Sequence, residues 1–516
     1  MSEPGTQDKS LTMSAEHKDS FRTILRSSSI IGGSTLINIF FSLIKMKVAA
    51  LLLGPVGVGL IGTYQNLIQT ASILAGLGFD GAGTRQVAAA RVEEGSKRLA
   101  LSRLSLLWGS MGLAIAGGVV FWLLSDSIAH LVFGDSQAAG DITWLALGVA
   151  LSVAAASQLA YLKGMRMIGD LARVNIITGF IATVLGIIAI FLWRNSGVTV
   201  LVLLVPLTTF VTGYYFVARA NRTLAKIPRP ACIELAAEFR GLTLLGIAFM
   251  LSALAMTGAE LAVRSMVQQR LGEEALGQFQ ASWSIGMIYL AVILGALATD
   301  YYPRLTGIIN DRQAANRTIN QQSEAVLLLC APLLLGVLSL APWVVRLLYS
   351  VEFVPAVDIL HWQLLGDTLK ILNLPLGYVV IAKGAGRIYI VIQALGAGTL
   401  VGITYLGLPW IGVAATGVAF IAMYVVVLPL NLIAARYWLG FRWSRSVKLQ
   451  ASVLTLGAVT LVALGNVSDL AAAIAGVPLS IAFAGYALLR LSRVADVGGP
   501  VARFIRLSRS IRNRIA

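Results

Sequence analysis

Residues 29–80 read SIIGGSTLINIFFSLIKMKVAALLLGPVGVGLIGTYQNLIQTASILAGLGFD. Two apolar runs, 29–53 and 58–80, flank the short turn Gly54–Gly57. Each is as long as the roughly 20 residues that a helix needs to cross a bilayer. A chain in hydrocarbon must satisfy its own backbone hydrogen bonds, so runs of this length are read as helices. The short alternating segments of a membrane β-barrel are absent.

The rest of the chain repeats this pattern. Of 516 residues, 57% are apolar and 12% charged, about half the charged share of a soluble protein. That excludes a water-soluble globular protein and a disordered one. Fourteen spans are expected, at about 29–53, 58–80, 101–124, 140–162, 174–193, 198–218, 241–265, 275–299, 324–349, 356–382, 388–407, 410–435, 449–466 and 470–489. The second, eighth and thirteenth are the most polar or the shortest.

An even count puts both termini on one side. Thirty-three of the 40 basic residues then fall on that side, two (Arg194 and Arg270) fall opposite, and five lie inside spans. This is the positive-inside bias, and it predicts cytoplasmic termini. It also accounts for the net charge of +16 without nucleic acid. The basic tail offers contact with anionic lipid, or serves topology alone. The N-terminal segment carries no short apolar core with a cleavage site, so no removable signal is expected. Cys232 falls in a loop and Cys330 in a span, so no disulfide is expected.

The longest loops, about 219–240 and 125–139, leave no room for a catalytic or nucleotide-binding domain. There is no G-x-x-x-x-G-K-[ST] phosphate loop. Gly57, Gly59 and Gly62 match G-x-G-x-x-G, but no strand precedes them and no βαβ unit is possible. Histidines 17, 130 and 361 are scattered, so no metal site and no cofactor are expected.

Leu53-Gly54-Pro55-Val56-Gly57-Val58-Gly59-Leu60 is echoed by Leu271-Gly272-Glu273-Glu274-Ala275-Leu276-Gly277-Gln278, 218 residues later. Each stretch opens the second span of a pair. Spans 1–6 therefore repeat as 7–12, in the same orientation, about an axis along the membrane normal. The expected organisation is a cytoplasmic segment 1–28, an N-lobe 29–218, a basic linker 219–240 and a C-lobe 241–435. Two extra spans follow within 436–489, then a basic tail 490–516. The expected fold class is an all-α integral membrane protein, two six-helix lobes with two added C-terminal helices.

The run from Lys45 to Leu60, followed by Tyr64-Gln65 and Leu74-Ala75-Gly76-Leu77-Gly78, resembles the opening of O-antigen translocases. These are Wzx-type polysaccharide flippases of the multidrug/oligosaccharidyl-lipid/polysaccharide exporter superfamily. The residue-level match is concentrated in about 40–100, while span count and twofold build fit nearly the whole chain. The resemblance implies a transporter, not an enzyme, in a bacterial inner membrane. It implies flipping of an undecaprenyl-pyrophosphate-linked oligosaccharide from the cytoplasmic to the periplasmic leaflet. Implied partners are that lipid-linked glycan, membrane lipid and the polysaccharide polymerase and chain-length machinery. The peptidoglycan-lipid flippases of the superfamily carry a span-1 arginine, and Lys45 falls at that place.

Ionisable groups inside spans are candidate functional residues because burying them in hydrocarbon costs several kcal/mol. Lys45 and Lys47 on span 1 and Arg264 on span 7 sit at matching depth and are the expected diphosphate-binding cations. Lys47 is also about 9 Å from the outer end of its span and within snorkelling reach. Arg346 reads as snorkelling. Glu260 with Arg264, and Asp367 with Lys370, are spaced to pair on one helix face, either for ion coupling or as mutual neutralisation. Asp358 and His361 read as an interface pair. Asp80–Arg85 and Asp300–Arg304 read as a cytoplasmic gate or as structural links. Tyr64, Trp283 and Tyr289 are placed to stack on sugars or to pack. Glycines 76, 78, 81 and 83 allow close approach at the end of span 2. A rival reading is a peptidoglycan-precursor flippase; another is a cation-coupled drug antiporter, which the cationic spans argue against. A membrane glycosyltransferase or polymerase would carry acids in exterior loops, and Gly54–Gly57 has none.

Overall fold

A computed structural model of the chain describes residues 6–92, 96–221, 232–296 and 301–494. Among these, every regular element is helical. The expected Asp300, residues 222–231 of the linker and the tail beyond residue 494 lie outside the described residues.

The N-lobe runs through α1 (Thr6–Ala75), α2 (Phe79–Val92), α3 (Ser96–Leu123), α4 (Ser125–Phe133), α5 (Ala139–Gly164), α6 (Ile168–Trp193) and α7 (Gly197–Asn221). The C-lobe runs through α8 (Cys232–Leu271), α9 (Glu273–Ala296), α10 (Tyr302–Ile308), α11 (Arg312–Ser339), α12 (Ala341–Leu348), α13 (Ala356–Ala382), α14 (Gly386–Ile411) and α15 (Ala415–Leu439). Then come α16 (Arg445–Gly465) and α17 (Asp469–Val494).

The continuous run α1 is two spans folded at Gly54 (φ 64°, ψ −163°), a conformation open to glycine, with Pro55 starting the second helix. The first half lies along α6 in the same direction: Phe41 meets Phe180 at 5.7 Å, and Arg194 reaches the Leu52 carbonyl. The second half lies along α5, from Tyr64–Asp141 at one end to Asp80–Lys163 at the other. The halves are therefore antiparallel, and the chain reverses at Gly54.

Among the described residues, ten helical runs are long and apolar enough to cross a membrane. Three of these, bent at Gly54, at residues 194–196 and at residues 412–414, are double. With the more polar α9 added, the build is that of about fourteen crossings. Large apolar side chains such as Phe40, Trp108, Phe191, Trp410 and Leu456 cover the outward faces, as lipid requires.

The duplication is written in the backbone. α6, the 3₁₀ turn at 194–196 and α7 recur residue for residue as α14, the turn at 412–414 and α15, shifted by 218. Left-handed backbone occurs at Gly54 and Gly272, at Arg166 and Gly384, and at Arg194 and Gly412, each pair with the same shift. The C-lobe uses glycine at all three; the N-lobe holds arginine at two, at about 1–2 kcal/mol of strain each.

α16 and α17 stand outside this symmetry. They lie on α11, where Ser480 donates to the Pro332 carbonyl (2.7 Å) and Arg490 pairs with Glu324 (3.1 Å). One expected span lies earlier in the chain than read, within Arg312–Ser339. The run 324–349 breaks at Leu340 (φ −111°, ψ 17°), just before Pro342, and continues as the short α12. Arg346 is therefore on a separate short helix. In a continuous helix Pro342 would lack its amide hydrogen bond and its ring would clash with the Leu338 carbonyl, which makes this a natural break.

Candidate substrate site and gates between the lobes

The lobes meet at both ends of their seam. "Basic side" denotes the end carrying the basic loops, and "far side" the other.

On the far side, α1 crosses α9 at Gly59 and Gly277. A Cβ on Gly59 would stand 2.9 Å from the Gly277 nitrogen, and one on Gly277 would stand 2.7 Å from the Pro55 Cα. Only small residues let two helix backbones approach this closely. Two side chains tie the same end. Lys47 donates to the Arg346 carbonyl (3.0 Å) and to the Tyr349 carbonyl, at the end of α12 in the other lobe. Its counterpart 218 residues on, Ser265, donates to the Leu131 carbonyl of α4 (2.8 Å), joined there by Gln269 (2.7 Å). Each lobe thus fastens the last carbonyls of the other lobe's short far-side helix, groups that no helix satisfies internally. Lys47 is spent on this contact, neither snorkelling freely nor turned to the N-lobe interior.

On the basic side, Gly78 (φ +68°) meets Gly246 of α8. A Cβ on Gly78 would stand 2.9 Å from both the Gly246 carbonyl carbon and the Met250 nitrogen. Phe79 packs on Phe239 at 5.4 Å, and Glu238 accepts from Ser102 (2.7 Å) and from Gln86. The glycine-rich end of span 2 is therefore a crossing point between lobes. The acid–base pair read there is different: Asp80 pairs with Lys163 of α5 at 2.9 Å, not with Arg85. Five residues apart on α2, Asp80 and Arg85 point roughly 140° apart. Arg85 and Arg304 are exposed.

The intramembrane charges fall into three groups. Lys45 is only 9% exposed and has no hydrogen-bond or ion-pair partner among the described residues. Arg264 pairs with Glu260 at 2.7 Å, donates to Gln280 and lies over the Phe279 ring at 5.3 Å. It presses on the other lobe at Gly62, where a Cβ would stand 2.9 Å from its Nη1. Asp367 and Lys370 approach to 3.6 Å, and Lys370 lies 5.3 Å from the Phe420 ring. Phe279, Trp283 and Phe420 form an aromatic ladder joining these two clusters. Trp283 is thus a packing residue. Tyr64 is as well, donating to Asp141, which also accepts from Thr199 (2.9 Å). Tyr289's side chain lies outside the described residues. His361 is buried beneath Gly465 of α16 and forms no ion pair with Asp358 among the described residues. No cluster of metal-ligating side chains occurs among the described residues.

Sequence reasoning missed Asp141 and one larger feature. A cavity of about 670 Å³ opens inside the N-lobe between α1, α5 and α7, walled by α8. Its polar stripe is Gln65, Gln69 and Ser72, and among the described residues its single charged lining residue is the paired Asp80. The visible signal was the polarity of span 2.

Two repeated lobes, a seam closed by glycine crossings and ionisable groups within the membrane have the build of a transporter rather than of an enzyme. Residues 24–308 match the family described as polysaccharide biosynthesis protein, and the chain belongs to that family. The chain is 25% identical over 410 residues to the lipid III flippases of Escherichia coli (strain K12) and Shigella flexneri, covering 78% of this chain and 96% of each relative. Its fold is shared with a structure described as lipid II flippase MurJ in an inward closed conformation, with a TM-score of 0.66 and 12% identity, over 90% of this chain and 99% of that one. It is shared also with a structure described as a MOP superfamily transporter from Pyrococcus furiosus with a binding pocket of reverse polarity, with a TM-score of 0.57 and 16% identity, over 84% of this chain and 96% of that one.

Proposed function

We propose that this protein flips an undecaprenyl-pyrophosphate-linked glycan, a surface-polysaccharide repeat unit such as O-antigen, from the cytoplasmic to the periplasmic leaflet of a bacterial inner membrane. The observation that carries the reading is Lys45: a buried ammonium with no counter-ion among the described residues, in a chain of the polysaccharide biosynthesis family. An unpaired buried charge is costly, and an incoming diphosphate supplies the missing partner. Arg264 is half-satisfied by Glu260 and takes a second role at the seam, where the headgroup passes. Asp367 with Lys370 is the place for ion coupling.

The basic side is the cytoplasm. The lobes part at Gly78–Gly246 to admit the headgroup, close there, then part at Gly59–Gly277 to release it, with the polyprenyl tail in lipid throughout. Moving an anion to the positive exterior is downhill by about 2.3 kcal/mol per charge at 100 mV, so two phosphate charges gain roughly 4–5 kcal/mol without ATP. Polymerase and chain-length proteins are the partners that receive the product.

A second reading, the peptidoglycan-precursor flippase, is supported by the fold shared over nearly the whole chain with the lipid II flippase. Deletion of the gene in its native host separates the two. The polysaccharide reading predicts loss of surface glycan with accumulation of lipid-linked repeat units, restored by the wild-type gene. Arrested growth with accumulated peptidoglycan precursor overturns it in favour of the second.

A further inference from the structure

We infer that the N-lobe cavity is a sugar subsite: it binds neutral, hydroxyl-rich rings of the headgroup, apart from the cations that hold the diphosphate. The inference rests on the flippase reading and adds where the glycan sits.

Gln65, Gln69 and Ser72 follow one another at i, i+4 and i+7, so they line one face of the second half of α1. Ser152 of α5 and Thr209 of α7 also line the cavity. Among the described residues neither glutamine has a hydrogen-bond partner, and Ser72 Oγ is buried with none. Thr209 gives its proton to the Val205 carbonyl (2.7 Å), which leaves its oxygen to accept. Each glutamine offers two donors and an acceptor, and each hydroxyl adds lone pairs. Such a set of unspent groups suits a ligand rich in both donors and acceptors. Gln65 is half-buried and Gln69 exposed, so both amides are open to a hydroxylated ligand entering the cavity, which would supply their partners.

Between the polar groups stand Ile68, Val153, Val205 and Phe249, apolar surfaces on which the C–H faces of pyranose rings can lie. The volume falls within the roughly 300–1,000 Å³ of pockets for ligands of a few rings. Charge excludes the other candidates. Among the described residues no lysine or arginine lines the cavity, so these walls do not favour a diphosphate. Its one acid, Asp80, is already paired with Lys163 at its edge, so it does not select a cationic drug. The cavity adjoins Gly78, so it lies directly inside the basic-side gate, on the entry route of a headgroup coming from the cytoplasm.

The test is binding to the full-length protein in lipid nanodiscs. Two probes are compared: the lipid-linked glycan fraction extracted from the source cells, and sugar-free undecaprenyl diphosphate. Wild type is expected to prefer the glycan lipid by about tenfold or more, the worth of a few hydrogen bonds. The double variant Gln69→Ala/Ser72→Ala, and independently the cavity-filling Ala156→Trp, should lose that preference while binding undecaprenyl diphosphate as wild type does. Lys45→Ala should weaken both probes and keep their ratio. Preference for the glycan lipid that survives in both cavity variants, with folding verified by thermal unfolding, overturns the subsite. Failure of wild type to bind either probe overturns the flippase reading itself, and the subsite with it.

Discussion

The glycine crossings make the gating account quantitative. In Gly277→Ala the new methyl would stand 2.7 Å from the Pro55 Cα, across the seam. Ordinary carbon contacts are about 3.5–4.0 Å, so the two backbones must separate by roughly 1 Å. The obstacle is backbone, so no side-chain rotation relieves it. Overpacking of this kind costs about 1–3 kcal/mol. Gly277 lies on α9 and Pro55 on α1, in different lobes, so the least costly relief is to part the lobes on the far side. A bias of about 1–3 kcal/mol changes the ratio of far-side-closed to far-side-open molecules by about 5- to 150-fold.

Alanine also favours the α9 helix by about 1 kcal/mol over glycine, so global stability should hardly move. Spin labels at the exposed Gln137 and Val351, one on each lobe at the far side, report the opening by pulsed electron spin distance measurement. The expected result is a longer distance in Gly277→Ala and no change between labels at Ala89 and Arg240 on the basic side. Gly246→Ala should do the reverse. Unchanged distances in both variants, or opening at the wrong end, would refute the reasoning.

Three further outcomes are expected. Lys47→Ala removes two charge-assisted hydrogen bonds to the end of α12, worth about 1.5–3 kcal/mol each at most, and should lengthen the same far-side distance, with Lys47→Arg restoring part of the closure. Arg264→Met leaves the half-buried Glu260 without its partner and should lower stability by about 1–3 kcal/mol; adding Glu260→Gln should recover much of the loss in thermal unfolding. Arg166→Gly relieves left-handed backbone strain and should raise the midpoint of thermal unfolding by the equivalent of about 1 kcal/mol, whereas Gly384→Ala at the matching position of the C-lobe should lower it.

Much of this architecture is legible in the residues. Runs of about twenty apolar residues and the one-sided placement of the basic ones mark the spans, and the echo of Leu53–Leu60 at Leu271–Gln278 marks the duplication. The far-side helices α4 and α12 escape because nine and eight residues are too short for a hydropathy window. The partner of Lys47 escapes for another reason: it is a pair of backbone carbonyls, which every residue carries and no side-chain pattern announces. Asp80 was read against its nearest base in sequence, but helix geometry sends it to Lys163, 83 residues away. The cavity stripe at Gln65, Gln69 and Ser72 was visible only as lowered hydropathy, since the α5, α7 and α8 walls that make it a cavity come together only in the fold. Lys45 is legible because an ionisable group in an apolar run is costly at that depth, although the sequence alone leaves snorkelling open for it.

The central claim is that Lys45 holds the diphosphate of a lipid-linked glycan during its transfer across the membrane. Its most direct test is transport by the purified protein in liposomes, loaded in one leaflet with lipid-linked glycan from the source cells, with an imposed potential positive on the receiving side. The account predicts transfer by wild type that quickens with the potential, retained transfer by Lys45→Arg, and loss of transfer by a correctly folded Lys45→Ala. Transfer by Lys45→Ala at the wild-type rate would contradict it.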